Sequence, residues 1–244
     1  MKLDEVRKLQ QRKHREAAGL YLVEGEHLVL ELEKACRTRP ELLQSKLFVS
    51  EQRSDWRSPL DTQVISASQM ARIADTREPQ GLLAVVPVLP AAPPMEGERA
   101  VYLHEVQDPG NLGTLLRSLA WFGGFRCLLG PGSVDPYNPK AVRASMGAIF
   151  HVPVETGVPL GALDQRYRHI GCLGLEGETI TSPAFTARDC LVFGGEARGL
   201  PEGWASLPDA RAFTIGGCGA IESLNLASAA AMCLWELQRS TPEK

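Results

Sequence analysis

The chain has 244 residues, room for one large domain or two small ones, with a proper core in either case. Hydrophobic residues make up 44% and charged ones 23%, an ordinary balance for a soluble globular protein, and no apolar run approaches the length of a membrane span. The formal net charge of −3 does not by itself mark a nucleic-acid binder, and six scattered cysteines with no C-x-x-C pair argue against a disulfide framework or a structural zinc site.

Residues 1–17 read as a basic amphipathic helix, whose first fifteen residues carry Lys2, Arg7, Lys8, Arg12, Lys13 and Arg15 against only Asp4 and Glu5. A local basic patch is what phosphate contacts need, and a solvated helix face gives the same pattern. The charged N-terminus has no apolar h-region, so no secretory signal is expected and a cytoplasmic location is. Gly19 breaks the helix and Tyr21-Leu22-Val23 begins a strand; Leu28, Leu32 and Ala35 then mark one face of a helix. Strands are predicted at 46–50, 63–66 and 82–88, with a short helix over 69–74 capped by Ser66 or Ser68 and a loop over 75–81. The Pro-rich stretch 89–98 is the best domain boundary, giving an α/β domain over 1–88, a linker over 89–98 and a second domain over 99–244.

The second domain alternates strands and helices: a strand at 100–106, a helix at 114–123, a strand at 125–129, a helix at 141–147, a strand at 152–154, a helix at 160–168 and a strand at 171–175. Such alternation predicts a parallel sheet with helices on both faces. The chain then concentrates its glycines. The buried-type strand 191–193 stops in Gly194-Gly195-Glu196-Ala197-Arg198-Gly199, and the strand 212–215 stops in Gly216-Gly217-Cys218-Gly219. Glu222-Ser223-Leu224-Asn225 opens an alanine-rich helix to about residue 238. Two strand ends, two glycine loops and a helix start converge here, as at ligand sites of open α/β sheets. Cys218 would put a thiol near any ligand in that loop. Asn111, Gly113 and Arg117 sit at an earlier strand-to-helix turn, with Arg117 expected in the first turn or two of the helix. A dinucleotide fingerprint needs G-x-G-x-x-G, and the spacing of Gly110 and Gly113 counts against a nicotinamide enzyme.

VQDPGNLGTLLRSLAWFG resembles the first motif of the SpoU (TrmH) family of RNA ribose methyltransferases, with Asn111, Gly113 and Arg117 at the matching positions. SVDPYNPKAVRASMGAIFHVPV is similar to the family's middle segment, and FGGEARGL and IGGCGAIESLNLASAAA to its second and third motifs. GLYLVEGEHLVLE and TREPQGLLAVV look like its RNA-recognition domain, a small α/β domain of the ribosomal-protein kind, so the resemblance covers nearly the whole chain. It implies an α/β C-terminal parallel-sheet domain with a deep trefoil knot, the SPOUT fold, binding S-adenosylmethionine largely through backbone groups at Gly194, Ile215 and Leu224. Gly195 and Gly199 would shape that pocket, with Gly217 in the neighbouring loop. Methyl transfer to a ribose 2′-hydroxyl would fall to Asn111, Arg117, Glu196, Ser223 and Asn225, with no metal required. A homodimer with its active site across the interface is implied, and the extra domain favours large-subunit ribosomal RNA over transfer RNA. Two departures stand out: Gly195 where Asn or Ala is usual, and Gly216-Gly217 where Pro usually follows the isoleucine. A catalytically weak RNA-binding or assembly factor of the same fold is the rival reading.

Overall fold

A computed structural model describes residues 1–195, 199–207 and 209–239. The chain runs through α1 (Leu3–Lys8), α2 (Arg12–Ala18), β1 (Leu20–Glu24), α3 (Glu26–Ala35), β2 (Lys46–Ser50), β3 (Asp61–Ile65), α4 (Ala67–Ile73) and β4 (Leu82–Pro87). It continues with β5 (Arg99–Leu103), α5 (Pro109–Phe122), β6 (Phe125–Leu129), α6 (Pro139–Ser145), β7 (Val154–Thr156) and β8 (Ile170–Thr179), then α7 (Pro183–Thr186), β9 (Cys190–Phe193), β10 (Arg211–Thr214) and α8 (Leu226–Arg239). Two compact units result: Met1–Pro90 with Asp135–His151, and Ala91–Val134 with the chain from Val152 onward. Among the described residues no helix is long and apolar enough to cross a membrane.

The first unit is built on a four-stranded sheet in the order β1-β4-β2-β3, antiparallel except between β2 and β3. Val6, Leu9, Leu22, Phe48, Ile65, Met70, Ile73, Leu83 and Val85 form one core cluster beneath it. The basic N-terminal stretch is two helices rather than one. Arg15 causes the break: its Nη1 donates to the carbonyls of Leu9 and Gln10, both at 2.8 Å, taking acceptors that a continuous helix would use. Its Nε and Nη2 hold Asp135 Oδ2 at 2.9 and 2.5 Å, and the side chain is buried. Arg15 is therefore not part of a surface basic patch, and Arg12 is paired with Glu16 at 2.7 Å. Arg143 to Asp75 at 2.7 Å and Arg39 to the Phe150 carbonyl at 3.1 Å tie the rest of Asp135–His151 into the same unit.

The second unit carries a six-stranded, all-parallel sheet in the order β10-β8-β9-β5-β6-β7. Its central strands are buried throughout, the pattern of a sheet covered on both faces. The predicted helix over 160–168 is only a single 3₁₀ turn, Leu160–Ala162, with Pro159 before it and Gly161 inside it. Strand β8 runs to Thr179, longer than expected, but its pairing with β10 jumps register at Ala212/Phe213. Gly177 sits in that irregularity at φ 135°, where an added Cβ would lie 2.5 Å from the Ala212 carbonyl.

At the end of the sheet where β8, β9 and β10 begin, Asp209 gathers His169 Nδ1 at 2.7 Å and Arg188 Nη1 at 3.1 Å. The hydrogen bond with His169, followed by the charge of Arg188, holds the Asp209 carboxyl below its ordinary range. Near β6 and β7, fully buried Arg126 binds Glu98 through Nε and Nη2 at 3.1 and 3.0 Å, Glu155 at 2.8 Å and the Ala92 carbonyl at 2.6 Å. The Pro-rich stretch is thus pinned to this unit at Ala92 and Glu98. The Glu98 side chain is 4% exposed, so Arg126→Met strands a buried charge. Unfolding in urea is expected to show a loss of about 3–5 kcal/mol, and a loss under about 1 kcal/mol would contradict this reading of the ion pair.

Candidate functional site

In a parallel sheet ligands bind outside the carboxyl ends of strands, where neighbouring connections leave in opposite directions. From β5 the chain proceeds to β6 and β7 on one side, while β9, its neighbour on the other side, leads away towards β8 and β10. The switch point therefore lies between the ends of β5 and β9. The His104 N–H bonds the Phe193 carbonyl there at 2.9 Å. Glu105 then takes φ 49°, a left-handed conformation uncommon for a side chain other than glycine, and turns the chain towards α5. Gln107 Nε2 fixes that turn by donating to the carbonyls of Glu105 at 3.2 Å and Gly132 at 2.7 Å.

Helix α5 begins at Pro109, earlier than the predicted 114, because Asp108 Oδ1 caps it by accepting the Asn111 N–H at 2.7 Å and proline suits the first helical position. Arg117 consequently falls in the third turn, not the first or second, and is exposed. Side chains on a helix lean back towards its N-terminus, and positions three, four and seven apart share a face. For Arg117 the residues at i−4 and i−7 are Gly113 and Gly110, which leaves Thr114 at i−3 as the side chain between the guanidinium and the start of the helix.

The loop after β9 closes on itself. Gly195 and Gly199 form an antiparallel bridge, with the Gly199 N–H on the Gly195 carbonyl at 2.9 Å. A Cβ added at Gly194 would stand 1.8 Å from the Gly199 carbonyl oxygen, so only glycine lets the two backbones meet. A Cβ at Gly195 would come 3.3 Å from the His104 carbonyl, which puts this loop over the end of β5. Glu196 lies outside the described residues.

The third motif enters from β10. Ile215 is half-buried, whereas the chain from Gly216 to Asn225 is exposed, including Gly217, Cys218, Ser223 and Leu224. Ile221 and Leu224 are 72% and 43% exposed, an apolar stretch turned to solvent. Cys218 is the exposed thiol among six free cysteines. Asn225 ends the stretch as the cap of α8, its Oδ1 accepting the N–H groups of Ala227 at 2.9 Å and Ser228 at 3.3 Å. The same amide donates from Nδ2 to Asn111 Oδ1 at 2.8 Å. Capping leaves the Asn225 NH₂ as the outward group, so the facing atom of Asn111 must be its carbonyl oxygen. The first and third motifs are thereby joined, and the glycine hairpin of the second covers the neighbouring strand end. Among the described residues, no group of three or more His, Cys, Asp and Glu side chains is placed to hold a metal ion.

Sequence reasoning missed two residues here. Asp108 was legible as a helix cap three residues before Asn111. His104 carried no signal beyond its place after a strand, and its Nδ1 is buried without a hydrogen-bond partner among the described residues.

A parallel α/β domain whose switch point is lined by glycine backbones and two helix caps defines a binder of a compact polar ligand. The model of the SpoU rRNA Methylase family matches residues 98–235, and that of the MRM3-like substrate binding domain matches residues 1–84. The chain belongs to the SpoU family. It is 28% identical over 243 residues to the 23S rRNA (guanosine(2553)-2′-O)-methyltransferase RlmP of Bacillus subtilis, covering 97% of this chain and 96% of that protein. A ribosomal RNA small subunit methyltransferase G 2 of Syntrophobacter fumaroxidans is 40% identical over 134 residues, 55% of this chain, but the chain spans only 26% of that protein's length. Among solved structures, a putative RNA methyltransferase of the TrmH family from Porphyromonas gingivalis superposes with a TM-score of 0.82 at 31% identity, covering 98% and 97% of the two chains. An AdoMet-bound rRNA methyltransferase from Sinorhizobium meliloti gives 0.81 at 25% identity, covering 97% and 94%.

The Gly194–Gly199 contact supplies the sharpest test of the local geometry. Gly194→Ala is expected to push the hairpin apart and expose the Gly199 amide, read as faster hydrogen exchange at that residue. Unchanged protection would mean that the close approach is not what closes the loop.

Proposed function

We propose that this chain binds S-adenosylmethionine at the switch point between β5 and β9 and transfers its methyl group to a ribose 2′-hydroxyl of RNA. The observation that carries this is the junction of the three motifs at one sheet edge: the Gly194–Gly199 hairpin beside the end of β5, and the Asn225–Asn111 bond between two helix starts. The residues fit the cofactor: close-packed glycine backbone for its approach, the half-buried Ile215, exposed Leu224, and an unsatisfied buried nitrogen on His104. Gly194, Ile215 and Leu224 would hold it through their backbones, with Gly195, Gly199 and Gly217 shaping the loops. When bound, the cofactor supplies an electrophilic methyl on a sulfonium.

The protein's part is then mostly positioning, because the attacking oxygen, methyl carbon and sulfur must lie in line. The methyl that the cofactor would supply forms a C–O bond at the expense of the S–C bond, the hydroxyl proton passing to solvent and the demethylated thioether departing. A guanidinium offers a positive charge and five donors but no acceptor, so the role of Arg117 is to stabilise charge developing on the 2′-oxygen and to hold the adjoining phosphate. Glu196 orients Arg117, while Asn111, Ser223 and Asn225 supply hydrogen bonds to the nucleotide and between the motifs. Residues 1–88 form the RNA-recognition domain, joined by the 89–98 linker to the methyltransferase domain over 99–244.

Large-subunit ribosomal RNA is the proposed substrate, in the cytoplasm, in keeping with the RlmP relative and the MRM3-like domain. The working form is a homodimer. On α5 and α8, Trp121 is 85% exposed, Trp235 58% and Met232 44%, with the Phe122 ring 6.4 Å from that of Trp235 and tilted against it by 49°. An apolar face of this size on a globular domain fits a second copy, whose own α5 and α8 would present the same residues.

The test is transfer of labelled methyl from S-adenosylmethionine to ribosomal RNA from a strain lacking the gene, followed by digestion to nucleosides. Label is expected in a 2′-O-methylnucleoside, with the rate falling about 10²–10³-fold in Arg117→Ala. Label in a base, or none, would contradict the proposal.

A further inference from the structure

One polar group at the switch point has no task in the reaction just described. His104 stands at the end of β5, on the strand-to-strand seam with β9, its N–H on the Phe193 carbonyl at 2.9 Å. Its carbonyl faces Gly195 across the seam. Its ring lies nearly parallel to that of Tyr102, with centroids 6.5 Å apart and 23° between planes. Tyr102 is fully buried, and its hydroxyl is satisfied by the Val158 carbonyl at 3.1 Å. His104 Nδ1 is also buried, yet it has no partner among the described residues. Buried polar atoms are nearly always hydrogen-bonded, and leaving one bare costs stability. An apolar ring would fill the same space without that cost. The imidazole is therefore a candidate for a bond made only with ligand present.

We infer that His104 is a cofactor-contacting residue, its Nδ1 forming a hydrogen bond with a polar group of S-adenosylmethionine lying across the ends of β5 and β9. This deepens the reading of the same site and rests on it. A neutral imidazole offers one donor and one acceptor nitrogen, so either tautomer can present what the ligand needs. The Phe193 tether fixes the backbone and the Tyr102 ring lies against the imidazole, so little further ordering is needed on binding.

The experiment titrates wild type, His104→Phe and His104→Asn with S-adenosylmethionine and with its demethylated product, and measures urea unfolding of each protein without ligand. Phenylalanine keeps the ring and removes the polar atoms, while asparagine returns a hydrogen-bonding group near the place of Nδ1. Expected is an affinity about tenfold lower in His104→Phe and restored to within about threefold in His104→Asn. The unliganded His104→Phe protein should resist urea at least as well as wild type, because an unpaired polar atom has been removed from the interior. The Nδ1 resonance of His104 in ¹⁵N-labelled protein should also move on saturation with cofactor. Wild-type affinity in His104→Phe would overturn the inference, as would an affinity loss accompanied by a lower urea midpoint. If wild type itself binds no cofactor, the proposed function fails, and this inference with it.

Discussion

The hydrogen bond from Asn225 to Asn111 spans 114 positions of sequence and joins the starts of two helices. The backbone of Asn111 is held in the capped first turn of α5, and the side-chain amide of Asn225 itself caps α8. The Asn225 amide cannot turn away without loosening the start of α8, so the link inherits the rigidity of that helix. Around it the other parts fall into place. Gly194, Gly195 and Gly199 bring the second motif's backbone over the end of β5, and Arg117 rides on the helix whose start Asn111 marks. Catalysis by positioning requires this sort of support, because a group displaced by an ångström loses most of its effect.

The two ends of the sheet are built for different work. Where the strands begin, charge is neutralised locally: Asp209 is shared by His169 and Arg188, and Arg188 also reaches the Ala184 carbonyl at 2.9 Å. Towards the opposite side of the sheet, Arg126 satisfies Glu98 and Glu155, and the hydrogen bonds from Arg166 and then Arg126 hold the Glu155 carboxyl below its ordinary range. Where the strands finish, the structure tolerates features that cost stability. Glu105 is left-handed, His104 Nδ1 is buried with no partner among the described residues, and an exposed apolar stretch follows β10. Left-handed backbone occurs at both ends, since Asp209 has φ 47°, so it is the buried imidazole nitrogen and the exposed apolar stretch that set the carboxyl end apart.

Much of this was legible in the sequence because it rests on local chemistry. Glycines after β9 pointed to the close backbone approach found at Gly194, although those after β10 stand in open space, and the alternation of strands and helices gave the parallel sheet. The Asn111, Gly113 and Arg117 spacing announced the first motif. Less legible was anything set by distant contacts. Arg15 reads as one more cation of a basic helix, but its bonds to Leu9, Gln10 and Asp135 break that helix and bury the charge. The start of α5 was placed too late because Gly110 and Gly113 lower helix propensity, while the cap at Asp108 and Pro109 at the first position outweigh them. His104 was invisible for the same reason. A histidine after a strand has no pattern, and only the folded neighbourhood shows that its nitrogen is bare.

The most direct measurement is a backbone amide NMR map of the protein as S-adenosylmethionine is added. Expected are shifts concentrated at the ends of β5, β9 and β10: residues 104–111, 193–195 with Gly199, and 214–226. Residues His169, Arg188 and Asp209, at the opposite end of the strands, should stay still. Shifts centred on those three, with the glycine hairpin and Asn225 unmoved, would contradict the placement of the site on which the rest depends.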